Sequence, residues 1–450
     1  MELKRISVYL YNQKQVSNFI NSNAFKQLAE NFELRIYAVG GILSKLPNSV
    51  ENISTGEINK LVHRLSVLRL NSVLWREKNR TMGHYMRAMN LLGNRKQRHA
   101  HVHVIKYDYI PLNFLKSFII KVVSRQPFSM GLSLLEDIAR NALRKTTWRE
   151  IFKGSDLVIV PYGGYISPHF GLAIYLAKKL GVPTLAIQEN WDNLSSKCFI
   201  LDEPNYFGVW GEQSASHLKS IHRLDFCEIS ILGSPRSKGP LEAELINSDP
   251  VIRDSYGTRV AITEPFLLVT GTGDGIDDEM LLNECSLALQ SIHKADLLII
   301  YRPHPYARTQ QNFETIYLAH PNLLIDFSDQ FGDEELTHLL GKATLVVNHF
   351  STLTLESLMV GTPVCLPTYL GRPAKYQYDR FINETQHYIG VKLIDGLEAP
   401  RSFHDLIEVF QKHLSTPIKY KVSSNVNWLC QRGDFALEIS TLVNRIMSAK

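Results

Sequence analysis

Asp296-Leu297-Leu298-Ile299-Ile300-Tyr301-Arg302-Pro303-His304-Pro305 joins a short apolar run to a polar loop fixed by two prolines. Further along, Thr344-Leu345-Val346-Val347 runs in the same way into Asn348-His349-Phe350-Ser351-Thr352-Leu353-Thr354-Leu355-Glu356. Apolar runs this short, bounded by turn residues, read as strands buried on both faces, as in parallel sheets. Loops at the carboxyl ends of such strands line the crevice where open α/β sheets hold ligands. The spacing predicts that these two strands are neighbours and that their loops share one rim.

The same alternation extends outward in both directions. Ile6 to Tyr11 and Leu34 to Val39 read as strands flanking a helical stretch, Gln15 to Asn31. It resumes with Leu157-Val158-Ile159-Val160, a helix from Tyr165 to Leu180, and strands at Pro183 to Ile187, Phe207 to Trp210 and Glu228 to Leu232. Strand–helix–strand units of this kind form parallel sheets with right-handed crossovers. Between Ser234 and Ile262 the pattern lapses into charged and small residues with Pro235, Gly239, Pro240 and Pro250, a linker signal. Phe266-Leu267-Leu268-Val269 then opens a second wound unit. The predicted architecture is α/β, with two doubly wound Rossmann-like domains facing an interdomain cleft. The first covers 1–235, a linker 236–262, the second 263–401, and a helical tail 402–450.

Bulk properties fit this plan. A chain of 450 residues suits two domains of roughly 200 residues each. A net charge of +5 favours anionic ligands or surfaces without demanding nucleic acid. Five scattered cysteines show no zinc spacing and fit a reducing compartment. The N-terminus lacks the long apolar core of a signal peptide, and no stretch reaches the ~20 apolar residues that cross a bilayer. A cytoplasmic protein is expected.

The rim residues suggest a ligand. Pro303 and Pro305 fix the backbone around His304 and remove competing donors, so the imidazole and Arg302 are suited to an anion. Ser351 and Thr352 open a helix, where amide groups favour phosphate, although a hydroxyl there is also an ordinary cap. Glu356, about one turn further on, is suited to sugar hydroxyls. A phosphate grip beside a hydroxyl grip is the expectation for a nucleotide sugar.

Glu356-Ser357-Leu358-Met359-Val360-Gly361-Thr362-Pro363 resembles the two-domain glycosyltransferases called GT-B. In their retaining members a glutamate five residues before a Gly-x-Pro turn binds the donor ribose, the role this resemblance implies for Glu356. A second glutamate eight residues upstream is replaced here by Asn348. The His-Pro dipeptide with a downstream Ser/Thr pair is also similar to bacterial transferases using CMP-activated acidic sugars, and to CDP-polyol phosphotransferases. In the CMP-sugar group the histidine and hydroxyls hold the phosphate. The resemblance implies a metal-independent transferase of bacterial surface polysaccharide synthesis, capsule or lipopolysaccharide. It would use no cofactor beyond a nucleotide-sugar cosubstrate, with CMP-linked donors a candidate. Its partners would be that donor and a glycan or lipid-linked acceptor, with peripheral contact at the inner face of an anionic membrane and no nucleic acid. A sugar-nucleotide 2-epimerase and a catalytically silent GT-B-like binding subunit are the other readings. The epimerases carry an acidic pair after a Gly-Gly turn where this chain has Phe350-Ser351-Thr352.

Three further segments bear on function. Thr270-Gly271-Thr272-Gly273-Asp274-Gly275 follows the first strand of the second unit, and Gly271 and Gly273 would let backbone approach the donor. Asp277, Asp278 and Glu279 read as first-turn acids that suit the helix dipole. In the first unit, Gln188-Glu189-Asn190-Trp191-Asp192-Asn193-Leu194-Ser195-Ser196-Lys197 follows a strand. Glu189 and Asp192 are the candidate general bases there, with His169 third; the alternative is a polar loop that locks the first domain against its neighbour. The basic stretch Lys60 to Lys106 has Glu77 as its lone acid, and reads as a solvated face or a surface for an anionic bilayer. His99, His101 and His103 alternate but lack the carboxylates or cysteines of a metal site.

Overall fold

A computed structural model describes residues 3–11, 15, 18–19, 23–38, 60–76, 118–119, 122–143, 151–163, 168–197, 200–236, 248–271, 278–304, 313–328, 336–349, 351–370, 386–415 and 425–449. Gly273, the three alternating histidines and the basic stretch beyond Arg76 lie outside the described residues. The chain divides into two compact units. Met1–Leu92, Ile110–Ser237 and Leu429–Lys450 form one, and Gly93–Tyr109 with Lys238–Trp428 form the other.

The first unit is built on β1 (Arg5–Leu10), β2 (Glu33–Ala38), β3 (Leu157–Tyr162), β4 (Thr184–Gln188), β5 (Tyr206–Val209) and β6 (Glu228–Ile231). All pair in parallel in the order β2-β1-β3-β4-β5-β6. β3 and β4 are buried along their whole length, as strands covered on both faces must be. One face packs Val158, Val160, Leu172, Leu176 and Phe207 into a core. The opposite face buries Ile6, Val8 and Ile159 against Phe25 and Leu28 of the helix Asn23–Asn31. It also receives Phe435, Ile439, Leu442, Val443 and Ile446 from the last helix, Phe435–Ser448. Those apolar positions recur at helical spacing, and the Asp434 carboxylate caps the helix by accepting from the amides of Ala436 and Leu437. The terminal residues therefore do not stand apart as one tail. Phe403–Leu414 packs against the helix Asp278–Ser291 in the second unit, whereas Phe435–Ser448 completes the first.

The segment read as a linker carries an antiparallel pair, β7 (Val251–Arg253) and β8 (Arg259–Ala261). Asp254 closes its turn by accepting from the amides of Tyr256 and Thr258. This hairpin belongs to the second unit, where the Arg253 carbonyl accepts from the Phe327 amide at 2.8 Å.

The second sheet contains β9 (Phe266–Thr270), β10 (Leu298–Arg302), β11 (Leu323–Ile325), β12 (Leu345–Val347), β13 (Val364–Cys365) and β14 (Leu397–Glu398). Its parallel order is β11-β10-β9-β12-β13-β14, the 3-2-1-4-5-6 arrangement of dinucleotide-binding sheets. Two doubly wound parallel sheets are thus present, as the alternation predicts. One detail differs. β10 and β12 are not neighbours, because β9 lies between them. Direct pairing would need a different crossover order, which strand spacing in the sequence does not reveal.

Candidate functional site

In the second sheet the strand order reverses between β9 and β12, the switch point at which such sheets bind ligands. Gly271 leaves β9 there, and its amide donates to the Arg302 carbonyl at 2.8 Å. A β-carbon on Gly271 would lie 2.9 Å from the His304 amide nitrogen and 2.5 Å from Asp278 Oδ2. The absence of a side chain thus lets the β9 and β10 loops close on each other, bringing His304 beside Gly271.

Asp278 opens the helix Asp278–Ser291, but it does not decorate the surface as its place in the first turn suggests. It is buried, and its Oδ2 accepts from the Tyr301 hydroxyl at 2.6 Å. Tyr301, fully buried, is a site residue that sequence reading missed. A carboxylate under Gly271 disfavours a phosphate at that point and suits a sugar hydroxyl better.

Arg302 ends β10 with its Nη1 2.6 Å from Asp326 Oδ2. Asp326 is fully buried, and its other oxygen accepts from the Ser328 amide and hydroxyl. Part of the Arg302 charge is therefore committed to holding the β10 and β11 ends together.

On the other side of β9, the register pairs Val347 with Val269 and so carries Asn348 alongside Thr270. Asn348 is fully buried, and its Oδ1 accepts from the Thr354 hydroxyl at 3.1 Å. Its Nδ2 has no hydrogen-bond acceptor among the described residues. A glutamate here would place a charge in a fully buried position. His349 is also buried, and burial holds its pKa down to about 3, so it is neutral at physiological pH.

Ser351 is the cap of the helix Thr352–Met359, with Oγ accepting from the Leu353 amide at 3.2 Å. The ordinary capping role is thus filled, and the hydroxyl proton and the Thr352 hydroxyl remain suited to an anion. Glu356 is half-buried one turn into this helix. Gly361, at φ +77°, ends the helix in the left-handed conformation that glycine adopts without strain, and the chain returns to β13.

The first sheet reverses order between β1 and β3. Tyr11 follows β1, Gly163 follows β3 and Glu189 follows β4, so all three gather at that switch point. The Gly163 amide donates to the Tyr11 hydroxyl at 2.9 Å. Gln15 Nε2 donates to Glu189 Oε2 at 3.1 Å and to the Pro161 carbonyl, and its Oε1 accepts from the Tyr11 amide. Glu189 is buried, only 2 % exposed. His169, on the helix Pro168–Lys179, stacks on Tyr11 with ring planes 7° apart. Its Nδ1 lies 2.8 Å from the Tyr9 hydroxyl. Burial, then repulsion from His63, lowers the His169 pKa to about 4. The Tyr9 and Gln15 contacts have no local sequence signature; the strand-end position of Glu189 and the candidate His169 were what pointed here.

Asp192 sits in the turn after Glu189, and its backbone carbonyl accepts from the Ser195 amide and hydroxyl. The surrounding loop is locked within its own unit. Trp191 Nε1 donates to Gln213 Oε1, Asn193 Nδ2 to the Tyr162 carbonyl, and Trp210 Nε1 to the Gln188 carbonyl. Glu189 and Asp192 thus belong to a rigid loop, with Glu189 and His169 at one switch point and Asp192 half-buried beside them.

Among the described residues no group of three or more His, Cys, Asp or Glu side chains is placed to hold a metal ion. No described helix is long and apolar enough to cross a membrane.

No protein-family profile and no curated protein matches the chain. Among solved structures, similarity extends to the UDP-GlcNAc 2-epimerase of Methanocaldococcus jannaschii in complex with UDP-GlcNAc and UDP. Identity is 12 %, coverage is 98 % of this chain and 99 % of that one, and the TM-score is 0.46. Acinetobacter baumannii MurG matches at 12 % identity over 98 % and 99 % of the two chains, with TM-score 0.45. A UDP-glucosyltransferase from Polygonum tinctorium matches at 12 % over 100 % of both chains, with TM-score 0.49. At these values the likeness adds nothing about chemistry, and the two-sheet architecture rests on the strand orders above.

Proposed function

We propose that the chain is a metal-independent glycosyltransferase of the GT-B type, moving a sugar from a nucleotide-activated donor to a glycan or lipid-linked acceptor. The observation that carries this reading is the convergence of Gly271, His304 and the capped Ser351-Thr352 helix start around the switch point of the second sheet. His304, the helix-start amides and the two hydroxyls would take up charge as the nucleotide phosphate leaves. Glu356 would accept from the ribose. Gly271, above the Asp278 carboxylate, would meet the sugar, and Arg302 would hold the β10 loop while lending its remaining charge.

In the first unit, Glu189 and Asp192 are the proposed bases, and His169 joins them. One of the three would take the acceptor hydroxyl proton as that oxygen attacks the anomeric carbon. Thermal unfolding with CMP, CDP, UDP, GDP or ADP tests the donor site. Stabilisation by one nucleotide, weakened by His304→Ala, is expected. CMP would fit an acidic-sugar donor, CDP a polyol-phosphate transferase, and UDP or GDP a hexosyl donor. A folded protein unmoved by all five would overturn the reading in favour of a silent binding subunit.

A further inference from the structure

The helix Phe128–Leu143 is turned inside out relative to an ordinary surface helix. Leu132, Glu136 and Arg140, spaced four apart, face inward, with Glu136 fully buried and Arg140 2 % exposed. Phe128, Met130, Leu134, Leu135 and Ile138 face outward, each 57–66 % exposed. A surface helix normally buries its apolar stripe and solvates its charges. Here the inward charges are paired instead. Glu136 contacts Arg140 at 2.6 Å and Arg69 at 3.0 Å and accepts from the Ser66 hydroxyl, while Arg140 Nη1 donates to both oxygens of Asp202 at 2.9 Å. Gly171 makes room for Asp202, since a β-carbon there would lie 2.6 Å from Asp202 Oδ2. This network fixes which way the helix faces, so the outward stripe is not a matter of rotation about its axis.

Phe118 and Ile119, a few residues before this helix in the chain, are also exposed, at 56 % and 42 %. Among the described residues, exposed basic side chains accompany it: Arg125 stands at the start of the helix, and Arg64 is exposed on Lys60–Arg76, the helix that packs against this one. Lys60–Arg76 contains no acidic residue. The helix's own carboxylates are drawn away from this surface, Glu136 into the ion network and Asp137 only half-exposed. An apolar stripe accompanied by exposed cations, with no fully exposed acid among the described residues of these two helices, fits a helix lying in the interface of an anionic bilayer. A second copy of the chain would set one basic margin against another, which opposes self-association through this face.

From this pattern we infer that the outer face of Phe128–Leu143 docks on an anionic membrane surface, with the apolar stripe entering the acyl boundary and Arg125 meeting lipid phosphates. The inference deepens the proposed function by assigning the lipid-linked acceptor class, but it stands on the helix face alone. Flotation of the full chain with vesicles of neutral phosphatidylcholine, or of phosphatidylcholine containing an anionic phospholipid, tests it. Co-flotation with the anionic vesicles is expected, at least tenfold weaker in a Leu134→Glu, Ile138→Glu variant and severalfold weaker in Arg125→Glu. Both exchanges lie at exposed positions, so an unchanged thermal midpoint and retained nucleotide stabilisation would separate loss of docking from misfolding or a failed donor site. Absence of co-flotation, equal binding to neutral vesicles, or binding unaffected by the substitutions would each overturn the inference. So would a concentration-dependent dimer, seen by sedimentation, that the same double substitution abolishes.

Discussion

The His304 amide nitrogen lies 2.9 Å from where a β-carbon on Gly271 would stand. Two loops from adjacent strands are thereby pressed together at the switch point of the second sheet. Gly271→Ala must push the His304 loop or the Asp278 carboxylate aside. The expected cost is about 1–3 kcal/mol in urea unfolding, with at least tenfold weaker binding of the stabilising nucleotide. Unchanged affinity in a folded variant would show that this contact does not shape the donor site.

Tyr301→Phe removes the hydroxyl that donates to Asp278 while preserving the ring in its core. A buried carboxylate left short of a donor costs about 1–3 kcal/mol. Chemical denaturation of Tyr301→Phe and of Tyr301→Phe with Asp278→Asn measures it. The asparagine is expected to recover part of the loss, because the uncharged amide tolerates burial better.

Arg140→Met removes the cation that contacts both Glu136 and Asp202 and leaves only Arg69 beside them. Breaking a buried pair from one side typically costs about 3–5 kcal/mol. Burial already raises the Asp202 pKa against the pull of Arg140 and Arg69. The variant should therefore take up protons at higher pH than the parent, visible as greater destabilisation at neutral than at mildly acid pH.

Stability should fall on acidification through the buried histidines. His222 Nδ1 accepts from the Ile200 amide, and its Nε2 lies 2.7 Å from the Leu194 carbonyl, so the neutral ring bridges both. Burial, opposed by the Leu194 hydrogen bond and aided by His217, holds its pKa down to about 4 against 6.5. Between those values the unfolded chain binds more protons, so stability rises with pH across the window and is lost as pH falls through it. The full shift corresponds to about 3 kcal/mol. His222→Gln should flatten the slope of unfolding free energy between pH 4 and 6.5.

The proton acceptor can be distinguished by its pH profile. If His169 serves, its pKa near 4 keeps it neutral, and kcat/KM has no acid limb near the ordinary histidine value of 6.5. Tyr9→Phe should then lower kcat more than it raises KM, by releasing Nδ1. An unaltered rate in both Tyr9→Phe and His169→Gln would leave Glu189 and Asp192 as the bases.

Much of the architecture was legible in local pattern. The apolar runs of β3, β4, β9 and β10 and the helix-ending Gly361 announce themselves, because burial on both faces and left-handed backbone restrict residue choice. Strand order did not follow, since it depends on crossovers; β9 between β10 and β12 shows this. Of the candidate site, the strand-end positions of His304, Ser351 and Glu189 were legible. Their supporting partners, Tyr301 with Asp278, Arg302 with Asp326 and Tyr9 with His169, are distant in sequence and carry no mutual spacing. For the same reason periodicity alone could not tell which face of Phe128–Leu143 points inward.

The placement of Phe435–Ser448 against the first sheet has a consequence for biosynthesis. The layer formed by Phe25, Leu28, Val8 and Ile159 is left without Ile439, Leu442 and Val443 until the helix Phe435–Ser448 has been synthesised. The second unit, which runs to Trp428, has its residues made before that helix, whereas the first holds an uncovered apolar layer until the helix arrives. The unit begun earliest is thus the later of the two to have its whole core available, against the N-to-C order in which domains generally fold during synthesis.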